Sequence, residues 1–541
     1  MTAQRAGRVL GVVGLFALLT VAATWPQARH LATRATPHQD VYFNMWRLSW
    51  VAHAISTDPA RLFDANIFHP EPRTLAYSDA MIVEGLVAAP LLWSGVKPVL
   101  VHNLLLLGAL AGSGAAMFAL AQYLTGSRGA GLLAGIVFAF APYRFEHVMH
   151  MEMQWAMWTP LAFLALHRTL DTGRWKYGLA MGACIALQML SSIYYGIFLA
   201  TLIGAGALLL LASDRHVPLA RAVVPLAAAA VLAAALSAAY ATPYLQVQQR
   251  VGERSADEVA TFSAKPVDYL VATPSNLLYG RASSSRARPE RRLFPGAIPV
   301  LLAIVGLLLR PASRRAIVYL VLLIAAFETS LGSHGYLYPL LYDYVPGYRG
   351  LRAAARLGLF TLMFLGVLAA YGYTALAWGR SLRIRAALLA ALAAGLLLEY
   401  RTTPALAPFP NIAPPVYRIL SNQPRGVVAE FPVPRVNALP GDEAQYGYMS
   451  TFHWFPLVNG YSGTYPASYL ARLARLADFP SDRSLRQLRQ DGVRYVIVHG
   501  SSYPGVAFDE LRMRIGLTGA FDELGAFDDF EGHAALYLMR P

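Results

Sequence analysis

Several groups of residues in this 541-residue chain combine types and spacings that chemistry can use. The first is His38-Gln39-Asp40, followed by Trp46, Trp50 and His53, a pattern compatible with an interfacial helix that starts near Asp40. An acid at a helix N-terminus is either a cap, stabilising by about 1 kcal/mol, or a carboxylate placed to take a proton from a hydroxyl. Asp79 and Glu84 follow. Asp79 sits where it could cap the short apolar stretch Met81 to Trp93, and Glu84 lies inside that stretch. An acid in an apolar membrane segment is costly, so it marks either function or a nearby arginine partner.

The second group is Pro142-Tyr143-Arg144-Phe145-Glu146-His147 with His150, Glu152 and Trp155. His147 and His150 are three apart and would share a helical face. A polar helix end at headgroup level, a sugar- or phosphate-binding site and a divalent-metal site all fit. Spacing marks no third metal ligand, so no metal or other cofactor is assigned. The third group is Tyr348-Arg349-Gly350-Leu351-Arg352 with Arg356. Arg352 and Arg356, four apart, would face the same way. Guanidinium groups bind phosphate in a bidentate fork, although ordinary headgroups or outer-face acids would also satisfy them. In the tail, Phe452-His453-Trp454-Phe455 and Asn459-Gly460-Tyr461 through Pro466 suit a carbohydrate or peptide platform, or simple domain packing.

The elements that must carry these groups are mostly membrane helices. Apolar blocks of bilayer-spanning length recur. The first, Val9 to Thr24, follows Arg5 and Arg8 and reads as an uncleaved span rather than a signal peptide. Ten more fall near 99–123, 129–145, 154–170, 177–192, 194–212, 222–240, 294–309, 316–331, 354–378 and 386–400. Turns with Arg128, Arg174 and Lys176, Arg215 and Arg221, Arg310 to Arg315, and Arg380 to Arg385 read as cytoplasmic. Eleven spans from a cytoplasmic N-terminus put the C-terminal domain outside the plasma (inner) membrane. Met81 to Trp93 is too short for a span and reads as a re-entrant or interfacial helix. The fold class expected is mainly α: a polytopic helical bundle over residues 1–400 with a small extracytoplasmic α/β domain over 401–541. In that tail Val427 to Phe431, Tyr495 to His499 and Ala534 to Met539 read as strands, and Ser484 to Gln490 as a helix.

Composition agrees. Hydrophobic residues make up 56% and charged residues 14%, with mean hydropathy +0.42, against about 25% charged in soluble domains. That excludes an ordinary soluble or disordered protein. The net charge of +14 falls outside the balanced tail, which suits cytoplasmic loops and anionic lipid and offers nucleic acid no basic soluble face. The single Cys184 excludes a disulfide framework. Walker, Rossmann, HExxH and Gly-x-Ser-x-Gly patterns are missing from the sequence.

A cytoplasmic N-terminus, one span and a long outer loop with an early acid resembles the GT-C superfamily of integral-membrane glycosyltransferases. The likeness is to its protein-mannosyltransferase and aminoarabinose-transferase branch and, more narrowly, to bacterial glycosyltransferase-like membrane proteins. Asp40 with Trp46, Leu62-Phe63, Phe68-His69-Pro70, Tyr77-Ser78-Asp79 and Pro142-Tyr143-Arg144 through His147, His150 and Trp155 carry the likeness, mainly over residues 1–240. The resemblance implies a polyprenyl-phosphate sugar donor, inversion at the anomeric carbon, and Asp40 as catalytic base. It gives Asp79 or Glu84 a second acidic role. The chain departs from the family in lacking paired acids directly after the first span and a Trp-Trp-Asp signature, which leaves the acceptor (glycan, lipid or protein) open. His38, Asp79, Glu84, Arg144, His147, His150, Glu152, Arg352 and Arg356 are the expected substrate-binding residues. A lipid-linked-sugar flippase and an envelope scaffold are the competing readings; intramembrane acids and arginines would line a flippase's path.

Overall fold

The computed structural model describes residues 3–213, 219–283, 287–309, 313–530 and 532–541, and the expected turn residues Arg215 and Arg310 lie outside them. The chain is mainly helical with a small sheet region and divides into two compact units. The first comprises Met1–His30, Leu104–Thr242 and Gly252–Ala405; the second comprises Leu31–Asn103, Pro243–Val251 and Leu406–Pro541. The long first loop thus belongs to the same unit as the tail, a grouping that the sequence reading did not draw.

All eleven stretches read as spans are helical: Ala3–Ala23, Pro98–Thr125, Arg128–Phe140, Trp158–Thr172, Trp175–Ser191, Ile193–Ser213, Leu219–Val251, Ala297–Leu308, Arg314–Ser330, Gly358–Ala377 and Leu382–Glu399. Among the described residues, Ala6–Ala23, Pro98–Thr125, Ile193–Ser213, Arg221–Val251 and Ala354–Ala377 are long and apolar enough to cross a membrane. Local chemistry sets the ends. Ser127, Ser313 and Ser381 each accept a hydrogen bond from a first-turn amide of the helix that follows. Gly173, at φ 65°, closes Trp158–Thr172 in the left-handed conformation that glycine adopts without strain. Inside the first unit, Gly372 brings Gly358–Ala377 against Ala297–Leu308 so closely that a Cβ there would lie 1.8 Å from the Leu302 carbonyl oxygen. Small residues allow this approach where lipid supplies no hydrophobic drive.

In the second unit, Gln39–Thr57 is buried on nearly every side between Val41 and Ala52. It is an interior helix of its unit, not one laying a single apolar face along a surface. It packs on Ile82–Trp93, where Gly85 leaves room for Val51; a Cβ would come within 2.5 Å of the valine. Ile82–Trp93 has 12 residues, about 18 Å of helix against a hydrocarbon core of about 30 Å.

Among the described residues, six strands form two sheets. Strands β1 (Arg34–Ala35) and β2 (Ala407–Pro408) pair antiparallel. The tail's sheet has the order β3 (Val427–Phe431), β4 (Val493–His499), β6 (His533–Met539), β5 (Phe521–Asp528). β3 runs parallel to β4 and the other pairs are antiparallel. Asp482–Gln490 precedes β4, close to the expected helix. Phe431, Leu488, Val496, Val498 and Ile515 fill the core beside this sheet.

Candidate functional site

In the second unit, the N-terminus of Gln39–Thr57 is capped by His38. Its Nδ1 accepts from the Asp40 amide at 3.1 Å. Asp40 is therefore not the cap. Its carboxylate is turned to other use: Oδ1 accepts the Tyr461 hydroxyl at 2.6 Å, and Oδ2 lies 3.3 Å from His38 Nδ1. The Asp40 side chain keeps 18% exposure, so a reactant can reach it. Burial, and then the charge of Asp40, push the Tyr461 hydroxyl's pKa far up. Tyr461 therefore stays protonated and serves as a permanent donor. Its ring meets Phe43 edge-on at 5.1 Å, which fixes the hydroxyl.

Behind Asp40, Arg47 is buried in the helix. It donates to the Asp79 carbonyl at 2.6 Å and to Asn44, and it lies over the Phe43 ring at 4.4 Å. Asp79 does not cap Ile82–Trp93; the residue at that position is Met81, in left-handed conformation at φ 54° with no side-chain cap bond. Glu84 is fully buried in the first turn of that helix. Phe68, Arg73, Met81 and Trp454 are the non-glycine residues with positive φ among those described, and all four fall in this unit. Each such residue costs about 1–2 kcal/mol, and such strain concentrates at functional sites.

The first unit gathers the second and third sequence groups. Arg144 is a brace: its guanidinium donates to the carbonyls of Met153 and Gln154 and to Ser113 Oγ at 2.9–3.3 Å. Gln154 returns bonds to the carbonyls of Arg144 and His147. These contacts take both terminal nitrogens of the guanidinium, and its buried Nε has no hydrogen-bond partner. His147 and His150 do not share a helix. His147 follows Pro142–Glu146 and His150 precedes Met151–Gln154, yet the turn between them brings the two Nδ1 atoms to 3.3 Å. Glu152 is buried beside them in sequence. Burial drives the His147 pKa down to about 3, so its ring is neutral.

Arg352 and Arg356 do not face the same way either. The chain is non-helical at 351–353 and 3-10 helical over Ala354–Leu357, so a spacing of four no longer aligns them. Arg352 donates to Glu258 at 3.0 Å. Arg356 lies over the Tyr194 ring at 4.7 Å and donates to Glu290 at 2.7 Å. Glu290 in turn stands 3.9 Å from His147 Nδ1. Burial would raise the Glu290 pKa, but Arg356 outweighs it and holds the carboxyl well below the usual range. Next to it, Glu146 accepts from Arg292 at 2.7 Å.

Sequence reasoning did not select Glu290, Tyr194 or Arg292, and it quoted Tyr461 only as a tail aromatic. A lone acid within Arg288-Pro289-Glu290-Arg291-Arg292 was the available signal. A further polar network in the tail also went unread. His499 Nε2 meets Glu430 at 2.7 Å, its Nδ1 meets Asp529 at 2.5 Å, and the Tyr417 hydroxyl donates to Glu430 at 2.6 Å. Burial alone would lower the His499 pKa, but the bonds to Asp529 and Glu430 raise it to about 10. Asn459 joins this network to Glu443, whose carboxylate accepts from Asn459, Tyr469 and the Gly460 amide. Burial lifts the Glu443 pKa to about 7. Among the described residues no group of three or more His, Cys, Asp or Glu is arranged to hold a metal ion.

No known family profile and no curated protein matches the sequence. Solved structures do match, 19 chains in all. One of them is the arabinofuranosyltransferase AftD from mycobacteria, determined by cryo-EM, with a TM-score of 0.66 at 14% identity. The superposition covers 98% of this chain and 40% of AftD, so the chain spans less than half the length of that enzyme. The likeness is one of fold.

Proposed function

We propose that the protein is a membrane glycosyltransferase that moves a sugar from a polyprenyl-phosphate donor to an envelope acceptor, with inversion. The observation that carries this reading is Asp40: a partly exposed carboxylate at the start of a buried helix, aimed by Tyr461. The GT-C-like fold shared with AftD supports it. Asp40 takes the proton of the acceptor hydroxyl as that oxygen attacks the anomeric carbon. The bond from that carbon to the phosphate oxygen breaks, and the lipid phosphate leaves as an anion. Such a leaving group is stable enough that no metal is strictly required.

In the first unit, Arg356 and His147 are the proposed phosphate-binding residues, with a guanidinium fork and a neutral imidazole as donors. Each assignment stands on geometry within its own unit. The protein is proposed to sit in the plasma (inner) membrane, with eleven spans, a cytoplasmic N-terminus and its tail outside. The acceptor is a glycan, lipid or protein of the envelope.

The test is transfer itself. Purified protein in lipid receives radiolabelled polyprenyl-phosphate sugars and a membrane extract as acceptor source. Label entering a new product is expected. Donor binding with no transfer, and donor movement across a sealed vesicle instead, would replace this reading with that of a flippase.

A further inference from the structure

The anion site at Arg356 is already filled by the protein itself. Glu290 is carried there on the short segment Pro289–Arg291, and the two arginines that follow it are both paired. Arg291 pairs with Asp268 at 2.7 Å and Arg292 with Glu146 at 2.7 Å. Just before these anchors the Glu290 carboxylate takes one hydrogen bond from Arg356. The fit is incomplete. Arg356 Nε, Glu290 Oε2 and His147 Nε2 are all buried and have no hydrogen-bond partner, and the His147 side chain is 1% exposed. A buried polar atom left unsatisfied costs about 1–3 kcal/mol. Beside the bonded Nη2–H, the unpartnered Nε–H leaves the guanidinium fork with room for a second acceptor oxygen. The Tyr194 ring holds the guanidinium plane.

We propose that Glu290 is an internal plug, displaced from Arg356 by the phosphodiester of the lipid-linked donor. This rests on the phosphate-binding reading of Arg356 and His147. A phosphodiester carries one negative charge, as Glu290 does, so the exchange leaves the charge around the arginine unchanged. Its two non-bridging oxygens can take both Nε–H and Nη2–H of Arg356, where the carboxylate takes one. Transfer then leaves a lipid monophosphate, and the return of Glu290 to Arg356 competes that product out of the site. Glu290 is thus a positioning residue that sets donor affinity and product release. A site closed in about 90% of molecules binds its ligand about tenfold more weakly than an open one.

The experiment is calorimetric titration of the full-length protein in nonionic detergent, with farnesyl phosphate as probe and inorganic phosphate as a second arm. Glu290→Gln is expected to bind farnesyl phosphate about tenfold more tightly than the wild type. Glu290→Asp, charged but one methylene short, is expected to fall between them and serves if the first variant does not fold. Arg356→Gln is expected to lose binding. A response to inorganic phosphate equal to that to farnesyl phosphate would assign the site to free phosphate and overturn the lipid-linked ligand. Binding lost in Arg356→Gln but no tighter in either Glu290 variant overturns the plug and leaves the phosphate site standing. Binding that survives Arg356→Gln, or is missing from all variants, overturns both.

Discussion

The hydrogen bond from Tyr461 decides how the Asp40 carboxylate is presented. One oxygen is held by a hydroxyl that does not ionise, and the helix cap is supplied by His38 instead. Hydrogen bonds to charged groups are worth about 1.5–3 kcal/mol. Tyr461→Phe should therefore lower kcat about tenfold through lost orientation while KM changes little. Steady-state kinetics of the variant, with the transition temperature as a control for folding, check this. Asp40 was legible in the sequence because an acid soon after a span is a local pattern. Its partner was not, because Tyr461 lies 421 residues away and bonds at that range leave no trace in spacing. His147 and His150 were legible as a pair, but for a different reason than the one that holds: a turn, and not a helical face, joins them. Arg352 and Arg356 show the same error, since the spacing argument assumed a helix that begins only at Gly358.

At the scale of elements, β3 and β4 carry Glu430 and His499 into a buried network whose charges predict a pH-dependent tail. Glu443 has its pKa raised from 4.5 to about 7 by burial. The folded protein thus holds a proton there that the unfolded chain has released, and stability falls as pH rises from 4.5 through 7. His499 is raised from 6.5 to about 10 by its carboxylate partners, against burial. Its contribution is complete below pH 6.5 and is lost as pH rises through 10. Melting temperatures in detergent should therefore decline across both windows. Glu443→Gln should flatten the lower window and His499→Gln the upper one, whatever each variant's absolute stability; a wild-type profile flat from pH 5 to 10 would refute the assignment. β3, β4 and β6 were readable because they are apolar and β-branched or aromatic. β5 was not, because Phe521–Asp528 is an edge strand with three acids and only one buried position. Glu443–Met449 and Ala467–Leu476 also went unread.

For the whole molecule, hydropathy located apolar helices, five of which, among the described residues, are long and apolar enough to cross a membrane. It could not reveal that residues 31–103 fold with the tail, since that unit is assembled from three separated segments. The proposed orientation has its own test. In a Cys184→Ala background, Ser501→Cys should react with a membrane-impermeant maleimide on intact cells, and Arg380→Cys, in an exposed arginine-rich turn, should not; the reverse labelling would invert the topology. The central claim is that Asp40 is the base of a glycosyl transfer. The measurement that tests it most directly compares the initial rate of sugar transfer from a polyprenyl-phosphate donor by the wild type and by Asp40→Asn, both with matched melting temperatures. Loss of the base should lower the rate by about 10²–10⁴-fold. Undiminished transfer by Asp40→Asn would contradict the account.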